Sequence, residues 1–220
     1  MLHLEVLDDK RIDLLNRITQ QIKPFGFYLA GGTALSLQTG YRISEDFDFF
    51  TQRHFNEYTL AEALSHLCEH FQIVLLEKDT CDLILDGVKV SLFYYPYPLL
   101  EDLCDGSIFP CLTLAGKKDI ACMKLIAIGQ RGARRDFFDL YHLILDEQYT
   151  ASALLDLLQE KYGDINTFTN IGMGLSYFED AENDALPSVF IQDDWKETKR
   201  FFTKLSRQFI REGMKRAERQ

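Results

Sequence analysis

The sequence predicts an α+β fold, in which a small mixed β-sheet with flanking helices (residues 1–116) precedes a C-terminal helical bundle (residues 117–220). Three observations predict it. Short apolar runs alternate with helical periods before Gly116, the pair Asp86-Gly87 separates two β-type runs as a hairpin turn would, and only helical spacing follows Gly116. The composition, 46% hydrophobic and 13% aromatic, is sufficient for a packed core.

The first half begins with an amphipathic helix. Between residues 9 and 22, isoleucines and a leucine recur at spacings of three and four, and Pro24 and Gly26 then end the pattern. Apolar runs with period-two alternation or aromatic enrichment predict the strands, and helical spacing predicts two further helices. The elements expected after the first helix are a strand at 27–30, a helix at 33–38, a strand at 43–51, a helix at 57–70, and strands at 72–77, 82–85, 88–95 and 112–115.

The second half shows helical periodicity throughout, without any further run rich in β-branched residues. The change in composition near residue 116 indicates a boundary between two domains. The predicted helices lie at 118–130, 135–146, 151–161, 166–179 and 194–212.

The chain contains no apolar run of about 18 residues, and residues 1–10 are mixed and acidic, so neither a membrane span nor a signal peptide is predicted. The net charge of −10 argues against indiscriminate binding to a phosphate backbone. The cytoplasm is the expected compartment. The five cysteines are odd in number and form no C-x-x-C pair, which argues against a disulfide framework or a zinc cage. They are predicted to be free thiols.

The charge is distributed unevenly along the chain. Residues 196–220 contain nine basic side chains and three acidic ones, although the whole protein is acidic. A basic helix of this kind permits a nucleic-acid partner, and a solvated helix face explains it equally well.

Asp46 and Asp48 form the first candidate site. Residues two apart on a strand point to one side of a sheet, so the two carboxylates share a face while Phe47 and Phe49 pack on the other. Adjacent carboxylates repel each other unless a cation neutralises them, and Mg²⁺ prefers oxygen ligands that it shares with substrate phosphates. The pair therefore predicts a site for Mg²⁺ or Mn²⁺.

Gly31, Gly32 and Thr33 lie between a predicted buried strand and a short helix. Glycines allow close approach of a phosphate, and the free N–H groups of a helix N-terminus attract anions. A tight strand-to-helix turn with a threonine cap is the structural alternative. Together with the aspartates, fourteen residues beyond Gly32 in the case of Asp46, the turn predicts a nucleotide triphosphate site.

Lys124 interrupts an apolar stripe on the predicted helix 118–130, and Arg131 follows seven residues later on the same side. A lysine on a buried face needs an anion, and two partners are open: the triphosphate or a carboxylate such as Asp136. A lysine that reaches solvent without a role is the third interpretation.

These residues belong to stretches that resemble a known family. Residues 28–35 (YLAGGTAL) and 42–50 (RISEDFDFF) resemble the first motif of the AbiEii/AbiGii-like toxin nucleotidyltransferases, members of the polymerase β superfamily. Residues 118–128 (KDIACMKLIAI) and 131–141 (RGARRDFFDLY) are similar to that family's later motifs. The resemblance runs in order from about residue 25 to residue 145.

The resemblance implies a nucleotidyltransferase-type sheet and the transfer of a nucleoside monophosphate from an NTP to a hydroxyl on tRNA or protein. It also implies the toxin of a toxin–antitoxin or phage-defence pair, with a cognate antitoxin as a partner. Asp46 and Asp48 would hold the metal and act with Asp136 in catalysis. The nucleotide would be bound by residues of both halves of the chain: Gly31, Gly32, Thr33, Arg42, Ser44, Lys124 and Arg131.

One position departs from the superfamily's pattern. Its enzymes often place a third carboxylate on a later strand, where this sequence carries Ser91. Either Asp136 or another acid then supplies that carboxylate, or the protein is a degenerate binding or regulatory module. A sugar-nucleotide glycosyltransferase, which also uses Asp-x-Asp, is the second alternative, although such enzymes require neither the glycine pair nor Lys124.

Overall fold

A computed structural model describes residues 2–106, 109–163, 168–186 and 188–218. The described chain forms two compact units. The first contains residues 1–97 and 102–116, and the second contains residues 98–101 and 117–220. The α+β fold class is confirmed, since strands occur in the first unit and the second is helical.

Over the part of the chain that the structure describes, the first unit is a seven-stranded mixed sheet with three α-helices. The helices are α1 (Asp9–Ile22), α2 (Gly31–Thr39) and α3 (Glu57–Ser65). The strands are β1 (Tyr28–Ala30), β2 (Phe47–Thr51), β3 (Phe71–Glu77), β4 (Thr80–Leu85), β5 (Val88–Tyr94), β6 (Cys104–Asp105) and β7 (Thr113–Leu114).

The strand order is β3-β4-β5-β2-β1-β7-β6, so β2 lies in the middle of the sheet. It pairs antiparallel with β1 and parallel with β5. Phe47 and Phe49 on β2 are fully buried on one face, whereas Asp48 and Phe50 are partly exposed on the other. The alternation predicted from the sequence therefore positions the site strand, with its aromatic face in the core.

In its described residues, the second unit packs six helices around an aromatic and aliphatic core. They are α4 (Lys117–Gln130), α5 (Arg134–Glu147), α6 (Ala151–Tyr162), α7 (Phe168–Gly174), α8 (Glu179–Glu182) and α9 (Trp195–Ala217). Phe137 on α5 contacts the rings of Phe178, Trp195 and Phe202. The buried Lys161 pairs with Asp119 at 2.5 Å.

Several predicted elements need correction. The strand expected at 43–51 begins only at Phe47, and the helix expected at 57–70 ends at Ser65. The single helix predicted at 166–179 is wrong: α7 ends at Gly174, where a side chain would strike the backbone of α4, and α8 begins at Glu179. Residues 166 and 167 lie outside the described residues. The short strand β6 was not predicted.

No helix within the described ranges combines the length and the apolarity that crossing a lipid bilayer requires.

Candidate functional site

Gly31 brings the beginning of α2 against the carboxylate of Asp48. Its φ is +64°, in the left-handed region that side chains disfavour. A Cβ placed on Gly31 would lie 2.8 Å from Oδ2 of Asp48. Glycine is thus required here both by the backbone and by the carboxylate, which lies at the positive end of a helix dipole. The structure brings these two predicted site residues into contact.

Thr33, Ser44 and Asp46 form a hydrogen-bonded chain beside this contact. The hydroxyl of Thr33 donates to the carbonyl oxygen of Asp46 and lies 2.6 Å from the hydroxyl of Ser44. Because one hydroxyl carries one proton, Ser44 donates to Thr33. Both hydroxyls are buried. Their contacts fasten the segment before β2 to α2, and phosphate binding by these hydroxyls stays a prediction.

Asp46 lies in this segment and not in the strand, which corrects the prediction. Residues 43–46 have no strand partner because the N–H of Ser44 donates to the carbonyl of Val6, 3.0 Å away, instead of to a neighbouring strand. The buried Arg42 donates to the carbonyl of Ile43 at 3.0 Å. Asp46 is nevertheless partly exposed, like Asp48, while Phe47 between them is buried.

A third carboxylate shares the sheet face of Asp48. Asp48 on β2 is in register with Ser91 on β5, and Ser91 is in register with Asp82 on β4. Residues in register point to the same face, so Asp82 lies two strand spacings from Asp48, about 10 Å between Cα atoms. Its Oδ1 is buried and has no hydrogen-bond partner in the described structure.

Asp82 was not predicted from the sequence, because the third carboxylate was expected at position 91, which is a serine. The signal was available in the sequence, since Asp82 interrupts the apolar run that precedes the hairpin turn at Asp86-Gly87. Only the pairing of β4 with β5 shows that this acid is on the same row as Asp48.

The aspartate pair fits a metal that arrives with its substrate. Among residues 2–106, 109–163, 168–186 and 188–218, no group of three or more His, Cys, Asp or Glu side chains is arranged to hold a metal ion. Mg²⁺ commonly binds one or two carboxylates and takes its remaining ligands from water and phosphate oxygens, and Mn²⁺ accepts the same ligands. The two partly exposed carboxylates of Asp46 and Asp48 match that ligand set.

In the second unit, Lys124 is neutralised by two buried carboxylates. Its Nζ lies 2.8 Å from Asp136 and 2.5 Å from Asp139. Arg131, whose side chain is 64% exposed, lies 3.6 Å from Asp136. Of the two partners that the sequence left open for Lys124, the structure shows the carboxylate. The triphosphate contact, and the placement of this cluster toward the aspartates of the first unit, stay predictions.

One carboxylate oxygen of this cluster can accept a further hydrogen bond. Oδ2 of Asp136 is buried and accepts no hydrogen bond from the described residues, although Arg131 is near. A buried acceptor without a donor is costly, so the arrangement has a place for one more donor. The predicted catalytic role of Asp136 is neither supported nor opposed by this geometry.

Comparison with known proteins gives a family match over most of the chain. The model of the family described as "Nucleotidyl transferase AbiEii toxin, Type IV TA system" matches residues 13–100 and 95–209. The uncharacterized protein aq_aa25 of Aquifex aeolicus (strain VF5) is 40% identical over 189 residues, which cover 84% of this chain and 88% of that protein.

Two solved structures are similar to this chain to different degrees. JHP933 from Helicobacter pylori superposes with a TM-score of 0.57 at 19% identity, covering 96% of this chain and 97% of the other. MenT4, a nucleotidyltransferase toxin from Mycobacterium tuberculosis H37Rv, has a TM-score of 0.46 at 14% identity, with coverage of 92% and 84%. The similarity to JHP933 shows a shared fold over nearly the entire length of both chains.

Proposed function

The chain belongs to the nucleotidyl transferase AbiEii toxin family of type IV toxin–antitoxin systems, and we propose that Asp46 and Asp48 form its metal-dependent active site. In this proposal the enzyme transfers a nucleoside monophosphate from an NTP to a hydroxyl. The observation that supports the proposal is the close approach of Gly31 to Asp48, because it brings a carboxylate to a helix N-terminus that is suited to phosphate.

The reaction forms one bond and breaks another. The oxygen of the acceptor hydroxyl attacks the α-phosphorus of the NTP, the bond from that phosphorus to the bridging oxygen breaks, and pyrophosphate leaves. When bound, Mg²⁺ would neutralise charge on the phosphate oxygens. The backbone N–H groups at the start of α2, beginning with Gly31 and Gly32, are suited to orient the triphosphate.

The proton of the acceptor hydroxyl needs a base. We assign this role to Asp82, because it lies in the row of Asp48 and Ser91 and its Oδ1 accepts no hydrogen bond within the described chain. About 10 Å separates the Cα atoms of Asp48 and Asp82, and the buried Ser91 lies between them on the same face. The hydroxyl of Ser91 is a poor base, although it can form hydrogen bonds.

The test is nucleotidyl transfer by variants that keep the shape of the site. Purified protein is incubated with each α-labelled NTP, Mg²⁺ and bulk RNA, and label is followed in RNA and in protein separately. Asp46→Asn or Asp48→Asn should lower transfer by at least about 10²-fold, the scale of losing one strong electrostatic contact. Glu62→Gln, which removes an exposed carboxylate on α3, is the matched control and should retain full activity.

Two results contradict the proposal. Label that persists in both aspartate variants would show that the active site lies elsewhere. Absence of label under every NTP, together with NTP binding that does not depend on Mg²⁺ in isothermal titration, would favour a degenerate binding module.

The family also indicates a partner. We propose that a cognate antitoxin counteracts the chain, because the family is of the type IV toxin–antitoxin kind. Expression of the wild-type chain should arrest growth, expression of Asp48→Asn should not, and a reading frame next to the gene should relieve the arrest. Growth that is unaffected by the wild-type chain would count against a toxin.

A further inference from the structure

Helix α9 carries a stripe of exposed cations on one side. Lys196, Arg200, Lys204, Arg207 and Arg211 follow one another at spacings of four, four, three and four residues. At 3.6 residues per turn these spacings keep all five within about 80° of the helix circumference, over about 22 Å of its length. All five side chains are exposed. We call this surface the α9 stripe.

The cations of α9 on the stripe differ from those off the stripe in whether they have a carboxylate partner. Those off the stripe have carboxylate partners: Lys199 pairs with Glu182 at 2.5 Å, Lys215 with Glu212 at 3.5 Å, and Arg216 with Asp156 at 2.7 Å. Within the described residues, none of the five cations of the stripe is in an ion pair. A solvated helix face normally mixes both signs of charge. Five exposed cations on one side of a helix, in a protein of net charge −10, form a surface suited to an anion from outside the chain.

The opposite side of α9 argues against insertion of this helix into a lipid surface. Phe202, Leu205 and Phe209 are buried in the core of the second unit. A helix that lies in a membrane interface inserts its apolar face into the lipid, and here that face is already covered.

A cavity beside the stripe adds a second feature. It has a volume of about 460 Å³ and lies between the start of α6 and α9, where two cations, Lys204 and Arg211, and one acid, Glu212, contribute to its lining. Two aromatic side chains, Tyr149 and Phe201, also line it. Surfaces that combine a line of cations with aromatic rings are typical of proteins that bind single-stranded nucleic acid, since the rings stack on bases.

We propose that the α9 stripe binds the phosphate backbone of an RNA strand, with the cavity lined by Tyr149 and Phe201 receiving a base. The proposal deepens the proposed function, because it gives RNA as the class of acceptor. Only the identification of the bound RNA as the acceptor rests on the proposed function. The binding itself requires neither NTP nor metal.

The test measures RNA binding without NTP. Full-length protein is titrated into a fluorescein-labelled, unstructured 20-nucleotide RNA, and anisotropy is followed between 50 and 200 mM salt. Five phosphate contacts predict that affinity falls by about 10²-fold over this range. The variant Arg200→Gln/Lys204→Gln/Arg207→Gln should bind at least about ten-fold more weakly at 50 mM salt and reduce the salt slope by about two.

The control changes the same charge elsewhere. Lys10→Gln/Lys23→Gln/Lys78→Gln removes three exposed cations of the first unit. It should leave both the affinity and the salt slope unchanged. If both triple variants weaken binding equally, net charge and not the α9 stripe is responsible, and the proposal is overturned.

Three further binding measurements distinguish single-stranded RNA from other ligands of the α9 stripe and separate RNA binding from nucleotidyl transfer. A duplex of the same sequence should bind more weakly than the single strand, because its bases cannot enter the cavity. Binding to poly-glutamate as tight as to RNA would show a surface for acidic protein and overturn the assignment. Loss of RNA binding in Asp48→Asn would also overturn it, whereas loss of transfer alone in that variant concerns only the proposed function.

Discussion

The contact of Gly31 with Asp48 makes Gly31→Ala a sharp test of the active site. Alanine at a φ of +64° costs about 1–2 kcal/mol of folding free energy. Its Cβ would also lie 2.8 Å from Oδ2 of Asp48, so the carboxylate must turn out of its position. An off-rotamer side chain adds about 0.5–1.5 kcal/mol.

Gly87→Ala separates the two contributions. Gly87 has a φ of +84°, and a Cβ there would meet nothing within 4 Å, so this variant has the backbone cost alone. Urea denaturation should place Gly31→Ala below Gly87→Ala in stability by about 0.5–1.5 kcal/mol. Nucleotidyl transfer should fall by about 10²-fold in Gly31→Ala, since a displacement near 1 Å of a group in the site can cost that much. It should be unchanged in Gly87→Ala.

A double variant tests whether the Cβ at position 31 acts through the carboxylate of Asp48. In Asp48→Ala the carboxylate is absent, so adding Gly31→Ala should cost only what Gly87→Ala costs. Equal stability of Gly31→Ala and Gly87→Ala in the wild-type background, with transfer intact in both, would refute the inference that glycine at position 31 makes room for a catalytic carboxylate.

Three further predictions concern other groups. Asp82→Asn should lower kcat about 10²-fold, the low end for losing a general base, while KM for the NTP is kept; an unchanged kcat would remove Asp82 from the reaction. Lys124→Met removes the buried cation shared by Asp136 and Asp139 and should cost about 3–5 kcal/mol in urea denaturation, with partial recovery when Asp139→Asn is added; full stability of the single variant would contradict this. Burial raises the pKa of Cys81 and of Cys122 to about 12, so iodoacetamide at pH 8 should label both thiols only after unfolding. Mass spectrometry would measure the labelling, and labelled thiols in the folded protein would contradict the prediction.

The sequence predicted those features that depend on local periodicity. Helix α1 begins and ends at the predicted residues because its apolar positions repeat regularly and Asp8 caps its first turn by accepting from the N–H of Arg11. The burial of Phe47 and Phe49 beside the exposed Asp48 follows from period-two alternation. Where long-range contacts decide, the prediction was wrong: Asp46 has strand-like alternation, yet the bond from Ser44 to Val6 keeps its segment out of the sheet.

The sequence by itself determined the family and the α+β class, because motifs and side-chain periods lie in consecutive positions, and it predicted the residues that we propose carry the chemistry. Only the tertiary structure decided which of those residues meet. It placed Gly31 against Asp48, gave Lys124 two carboxylate partners, and aligned Asp82 with Asp48 through strand pairing. Such contacts join residues far apart in the chain, and strand register and helix packing, which no local pattern encodes, bring them together.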